Sequence, residues 1–273
     1  MHALPALIAL ITALLLAPAI LKALAEGGHT RPNYRERQLP FPFGILIIAS
    51  ALLALIPLTL LAKLGSVEVF YPQLRLAALY ILGVSLLGLI DDNFTDHSRG
   101  WRGHTARTLS GGFSTGALKA AGSLSLALYV TAQQHLSTGR YLLAAAVLVL
   151  ATNAFNLLDL RPGRSTKALL LLGAGLSIGC ANVRALWALG LFAAPALVAG
   201  VYDLRERAML GDTGANLIGG IGGLWILFTL STTGQVVALA LLLLITIYGE
   251  FRSISGLVER TPGLRELDSW GRP

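Results

Sequence analysis

The chain has 273 residues, 55% of them hydrophobic and 13% charged, with a net charge of +7 and a mean hydropathy of +0.69. A soluble domain carries about 25% charged residues, so this deficit excludes an ordinary soluble globular protein and points to an integral membrane protein. The single cysteine, Cys180, excludes an intramolecular disulfide framework.

A transmembrane helix needs about 20 mainly apolar residues. Nine segments qualify: 3–25, 41–64, 74–91, 116–133, 140–158, 166–182, 184–202, 212–230 and 235–254. The predicted architecture is an all-α polytopic helical bundle. The opening "MHALPALIALITALLLAPAILKALAEGG" lacks the basic start and small-residue cleavage site of a signal peptide and reads as a retained first span. Only "NVR" separates the sixth and seventh segments, which fits either a tight hairpin or one broken element.

The connections alternate in character. "EGGHTRPNYRERQLP", "DDNFTDHSRGWRGHTARTLSGG", "DLRPGRSTK", "DLRERAMLG" and the tail from Glu250 are long or charged, whereas "GSVEVFYPQ", "QHLSTG", "NVR" and "STTGQ" are short and nearly neutral. Of the 21 Lys and Arg, only Lys63, Arg75, Arg140 and Arg184 fall at the second set. The positive-inside rule makes the first set cytoplasmic, with the N-terminus outside and the C-terminus inside. Every Asp and Glu except Glu68 also sits with the first set. Acids contribute little to orientation, so their bias places the chemistry at the cytoplasmic face. Residues 1–273 then form one membrane domain, with 256–273 a cytoplasmic tail lying at most along the surface.

Taken in order, the cytoplasmic connections carry distinct constellations. The first offers Arg31, Asn33, Tyr34, Arg35 and Arg37 before "LPFPFG". The third segment ends in Asp91 and Asp92, with Asp96 four residues on. Two acids at a helix C-terminus repel each other and the negative end of the macrodipole. A hard cation such as Mg²⁺ reverses that interaction; a solvated loop start is the plainer reading. Arg99, Arg102, His104 and Arg107 follow, with Trp101 among them. Such a basic and aromatic mixture binds nucleic acid, nucleotides or lipid headgroups, and a membrane surface favours the last two.

The fifth segment ends "ATNAFNLLDLRPGRS", which spaces Asn153, Asn156 and Asp159 three apart on one helical stripe. Amides inside an apolar helix face a bundle interior or a polar cavity, and plain interhelical hydrogen bonding also accounts for them. Arg161, Arg164 and Lys167 next to this stripe suit a phosphate-bearing ligand or a topology anchor. The eighth segment opens "MLGDTGANLIGG", with Asp212 and Thr213 between glycines and Asn216 one turn further. Asp and Thr are good helix caps, and the flanking glycines admit a close-approaching backbone or ligand.

"GLIDDNFTD", "NAFNLLD" and "GDTGAN" together resemble the motifs of the polyprenyl-phosphate sugar-1-phosphate transferases, in order and in host helix. The resemblance covers about residues 31–230. It implies Mg²⁺-dependent transfer (Mn²⁺ as a substitute) of a sugar-1-phosphate from a UDP-sugar to polyprenyl phosphate, releasing UMP, in cell-wall or surface-glycan synthesis. It also implies a bacterial-type cytoplasmic membrane and allows a homodimer; nucleic acid is not an expected partner. Asp91, Asp92 and Asp159 match its catalytic acids, and Asp92 and Asp212 its metal ligands. Asn153, Asn156, Arg35, Arg102, Arg107, Arg161, Arg164 and Asn216 are the expected substrate-binding residues. A phosphate monoester has a second pKa of about 6, so a dianionic acceptor leaves open which Asp, if any, acts as a base.

Family members have ten spans and a histidine motif in the last cytoplasmic loop, whereas residues 250–273 contain no histidine. That departure leaves the donor sugar unassigned. It also defines a second reading, a relative that binds polyprenyl phosphate or nucleotide in a regulatory role without turnover. A transporter would carry ionisable groups along a pathway, and acids gathered at one face argue against it. The transferase reading requires Asp92, Asp159 and Asp212 to meet in one pocket with room for a divalent ion.

Overall fold

The computed structural model describes residues 1–94 and 114–273 of the chain. Eleven helices appear among the described residues: α1 Leu4–Glu26, α2 Ile45–Leu64, α3 Leu74–Asn93, α4 Thr115–Ala132, α5 Thr138–Leu158, α6 Arg164–Gly179, α7 Arg184–Leu204, α8 Gly211–Thr229, α9 Thr232–Phe251, α10 Ile254–Arg260 and α11 Pro262–Ser269. All nine predicted segments fold as helices, with ends within four residues of expectation. Ala181 at φ 47° separates α6 from α7, so the "NVR" junction is a hairpin between two helices.

Six helices, α1, α2, α3, α5, α7 and α9, are long and apolar enough to cross a membrane, which makes this an integral membrane protein built as an all-α bundle. The other three differ for a physical reason. Helix α6 has only 16 residues, and Lys119 interrupts the apolar run of α4. Helix α8 is diluted by glycine, Asp212 and Asn216, yet every residue from Thr213 to Ile226 is buried. A helix enclosed by other helices needs no lipid-facing side chains.

Helix α8 is the axis of the bundle. It packs against α3, α5, α6 and α7, while α1 and α2 pack on α7, α4 packs on both α3 and α5, and α9 packs on α5. Lipid supplies no hydrophobic drive between helices, so small residues that permit close van der Waals approach decide where contacts form. At Gly219, an added Cβ would lie 2.7 Å from the Thr152 Cα and 3.0 Å from the Ala151 carbonyl of α5. At Gly88 it would collide with the backbone of Asp212 and Thr213. The acid end of α3 therefore lies directly against the first turn of α8.

Two features depart from the sequence reading. A hairpin of β1 Thr30–Pro32 and β2 Gln38–Pro40 pairs antiparallel with Arg31 opposite Leu39. The Asn33 Oδ1 organises its turn by accepting from the backbone N–H groups of Arg35 at 2.8 Å and Arg37 at 3.0 Å. The tail also folds, into α10 and α11, and docks on the bundle rather than trailing from it. Asp268 accepts both arms of the Arg164 guanidinium at 2.9 Å, Arg272 Nη2 reaches the same carboxylate at 2.7 Å, and Lys167 donates to the carbonyls of Leu267 and Asp268.

Candidate active site

Asp92 ends α3 but serves α8. Its Oδ1 accepts from the Asp212 N–H at 2.9 Å, and its Oδ2 accepts from the Thr213 N–H at 2.8 Å and the Thr213 hydroxyl at 2.6 Å. The carboxylate, only 6% exposed, caps a helix other than its own. The positive end of the α8 macrodipole offsets the repulsion from the end of α3. Gly211, at φ 72°, leaves room for it: a Cβ there would sit 2.7 Å from Asp92 Oδ2. The Arg31 guanidinium donates to the Asp92 carbonyl, tying the hairpin to the same helix end.

Asp91 points the other way. Its Oδ2 lies 2.8 Å from the Lys119 ammonium of α4, and the same ammonium pairs with Asp212 Oδ2. Two carboxylates, 121 positions apart in the chain, thus converge on one cation. Lys119 was not among the expected residues. Its signal in the sequence is slight, a lone cation five residues into an otherwise uncharged helix.

Asp159 caps the C-terminus of α5 and accepts from the Ser165 hydroxyl at 2.7 Å. Burial, then the charge of Asp203, hold its carboxyl well above the usual carboxylate range; the Ser165 bond opposes them, and Asp212 and Asp92 add to the rise. The asparagine stripe divides. Asn153 donates to Thr246 Oγ1 of α9 at 3.3 Å, an interhelical bond. The Oδ1 of Asn156 is buried without a hydrogen-bond partner among the described residues, which is unusual for a native polar atom. Asn216 is buried one turn beyond Asp212 in α8.

Several expected substrate-binding cations are engaged by protein groups. Arg164 is forked onto Asp268 and donates to Ser255 Oγ at 3.1 Å. Burial pushes the Asp268 carboxyl up, but the hydrogen bonds from Arg164 and then Arg272 outweigh it and hold the group at about 2. Arg161 stacks 4.4 Å from the Tyr34 ring centroid and pairs with Glu259 at 3.2 Å. Arg35 lies 3.3 Å from Glu206 Oε1, and Arg37 lies 3.5 Å from Oε2. The buried Glu206 also accepts from Asn33 Nδ2 and the Tyr34 hydroxyl; burial, then that hydrogen bond, push the Tyr34 hydroxyl above its ordinary value. Arg102 and Arg107 lie outside the described residues, as do Asp96, Arg99 and His104.

Beside this polar cluster runs an apolar groove of about 600 Å³ between α6, α9 and the tail helices. Leu171, Ile247, Tyr248 and Leu257 line it, and Arg164 and Lys167 stand at its edge.

Among the described residues, no three of His, Cys, Asp and Glu are grouped so as to hold a metal ion by themselves, so the expected meeting of Asp92, Asp159 and Asp212 around one divalent ion is not found; the pair of Asp91 and Asp212 stands in its place. Mg²⁺, however, is commonly bound by one or two carboxylates plus substrate phosphates and water. The Asp91 and Asp212 oxygens already share one cation, so this pair fits such an ion. Asp92 is differently placed, both its oxygens being occupied by α8. No family model and no curated protein matches this chain, so the family resemblance rests on the motifs.

Proposed function

We propose that this protein transfers a sugar-1-phosphate from a UDP-sugar to a polyprenyl phosphate, at the cytoplasmic end of a bundle that crosses the membrane nine times with its N-terminus outside. The observation that carries the reading is the convergence of Asp91 and Asp212 on a single cation. The helix ends bearing these acids are the ones that carry the "DD" and "GDTG" motifs, and Asp92 locks them together. An acid pair held rigidly around one positive charge suits a reaction between two phosphates.

In that reaction an oxygen of the lipid phosphate attacks the β-phosphorus of the donor. The bond from that phosphorus to the bridging oxygen breaks, and UMP leaves with the electron pair. Both reactants are anions, so the barrier is mainly charge repulsion and positioning. Asp91 and Asp212 would hold Mg²⁺, which when bound neutralises charge on the donor diphosphate. Lys119, which pairs with both acids, would supply a second positive group beside the reacting phosphates. The unpartnered Asn156 Oδ1 offers an acceptor to a donor group on the nucleotide or sugar. The apolar groove beside Lys167 and Arg164 suits the isoprenoid chain of the acceptor.

The test is UMP release from a panel of UDP-sugars with undecaprenyl phosphate and Mg²⁺ in detergent. The reading is rejected if no donor turns over and Asp212→Asn binds Mn²⁺ as wild type does. A regulatory relative is favoured by one observation, the occupation of Arg164 by Asp268. It would bind polyprenyl phosphate or a nucleotide, seen as a ligand-dependent rise in melting temperature, without forming product.

A further inference from the structure

Asp203 occupies a position that local energetics would not select. It lies in the last turn of α7, where the helix already presents partial negative charge, and it is 5% exposed. Its partners explain it. Oδ2 accepts from the Gly163 N–H at 2.6 Å, and Oδ1 faces the Leu210 N–H at 3.4 Å. These two amides belong to different connections.

Gly163 is the N-cap of α6, at φ 73°, and packs on Leu204 so tightly that a Cβ would fall 2.9 Å from that residue's own Cβ. Four residues before it stands Asp159, and two residues after it Ser165, which donates to Asp159. Leu210 precedes the Gly211–Asp212 turn, and its carbonyl accepts from the Gly44 N–H at 2.9 Å. One carboxylate therefore spans the asparagine–aspartate connection and the Gly-Asp-Thr-Gly turn. Asp92 fastens that turn to α3 on its other side.

We infer that Asp203 is a positioning residue for the reaction proposed above: it sets the spacing between the Asp159 turn and the Asp212 turn, and so the register of the donor against the Asp91–Asp212 pair. The inference rests on the transferase reading for its consequence but not for its geometry. An amide at this position is nearly isosteric, accepts on one side only, and turns an N–H₂ toward the other backbone donor. Asp203→Asn consequently releases one connection while leaving the packing in place.

The experiment uses full-length protein in detergent with Cys180→Ser, and nitroxide labels at Leu160→Cys and Arg207→Cys, beside the two amides. Asp203→Asn should at least double the width of the label–label distance distribution. It should raise the Mn²⁺ concentration at half-saturation by about tenfold, read by the metal's own resonance. Turnover should fall tenfold or more in kcat, with KM for the UDP-sugar within threefold. Unchanged distance widths and Mn²⁺ midpoints in a folded Asp203→Asn variant overturn the inference. So does loss of the folded protein in both Asp203→Asn and Asp203→Glu, which assigns the residue to the scaffold alone. Should the wild type neither bind Mn²⁺ nor turn over any donor, the transferase reading fails, while the distance measurement still judges Asp203.

Discussion

Asp92 and Thr213 are joined twice, since one carboxylate oxygen of Asp92 accepts both the backbone N–H and the hydroxyl of Thr213, at 2.8 and 2.6 Å. This contact converts the unfavourable end of α3 into the cap of α8. It also leaves the adjacent Asp91 free to face Lys119 and Asp212. Neighbouring acids thus divide their work, one holding the helices and one pairing with Lys119 beside Asp212.

Removing the cap should cost stability before it costs chemistry. Asp92→Ala deletes the acceptor for three donors, two of them buried, and hydrogen bonds to a charged group contribute about 1.5–3 kcal/mol each when made. Because such losses are not additive, the expected destabilisation is about 3 kcal/mol. Thermal unfolding in detergent without Mg²⁺ measures it, and a melting temperature equal to wild type would contradict the assignment.

Asp91 and Asp212 should behave as a pair. Either Asp→Asn change is expected to lower turnover by about 100-fold or more and to weaken Mn²⁺ binding. The double variant should be little worse than either single one. Independent, multiplying losses would show that the two acids serve different functions.

Lys119 competes with any metal for the same oxygens. In Lys119→Met the two carboxylates face each other without compensation, so the metal-free protein should be less stable than wild type. Its melting temperature should rise more steeply with added Mg²⁺. Equal Mg²⁺-induced shifts in the two proteins would place the metal elsewhere.

The docked tail should respond to acid only. The folded Asp268 carboxyl is held at about 2, below the free-chain value of about 3.9. A depressed value means the contribution is complete above the free-chain value and is lost as pH falls through the folded one. Docking should therefore be constant from neutral pH to about 4 and disappear toward about 2. It is expected to be absent at every pH in Asp268→Asn. A nitroxide at Trp270→Cys, in a Cys180→Ser background, reports it as a change from slow to fast motion. Release at pH 6 would remove the Arg164–Asp268 pair as the cause.

The helices were legible in the sequence because each is a long apolar run closed by charged or glycine-rich residues, and a backbone in lipid must satisfy its own hydrogen bonds. The motif-bearing acids were legible because charge is costly at such ends and stands out against an apolar background. The hairpin at 30–40 was not, since its turn depends on one asparagine side chain accepting two backbone N–H groups. Docking of the tail was equally hidden, because Asp268 meets Arg164 across 104 positions.

Composition and hydropathy alone establish an all-α membrane protein, the positions of its helices, and the acids that end them. Which acid faces which partner was decided by tertiary structure. Asp91 and Asp92 are adjacent and chemically identical, and only the rotation of α3 against the glycine-lined start of α8 separates a helix cap from a partner of Lys119. Asn153 and Asn156, alike on one stripe, part in the same way: one donates to Thr246, whereas the Oδ1 of the other is buried without a hydrogen-bond partner among the described residues. Side-chain identity sets what a group can do, but its partner depends on the azimuth at which two helices pack, and that is set by contacts distant in the chain.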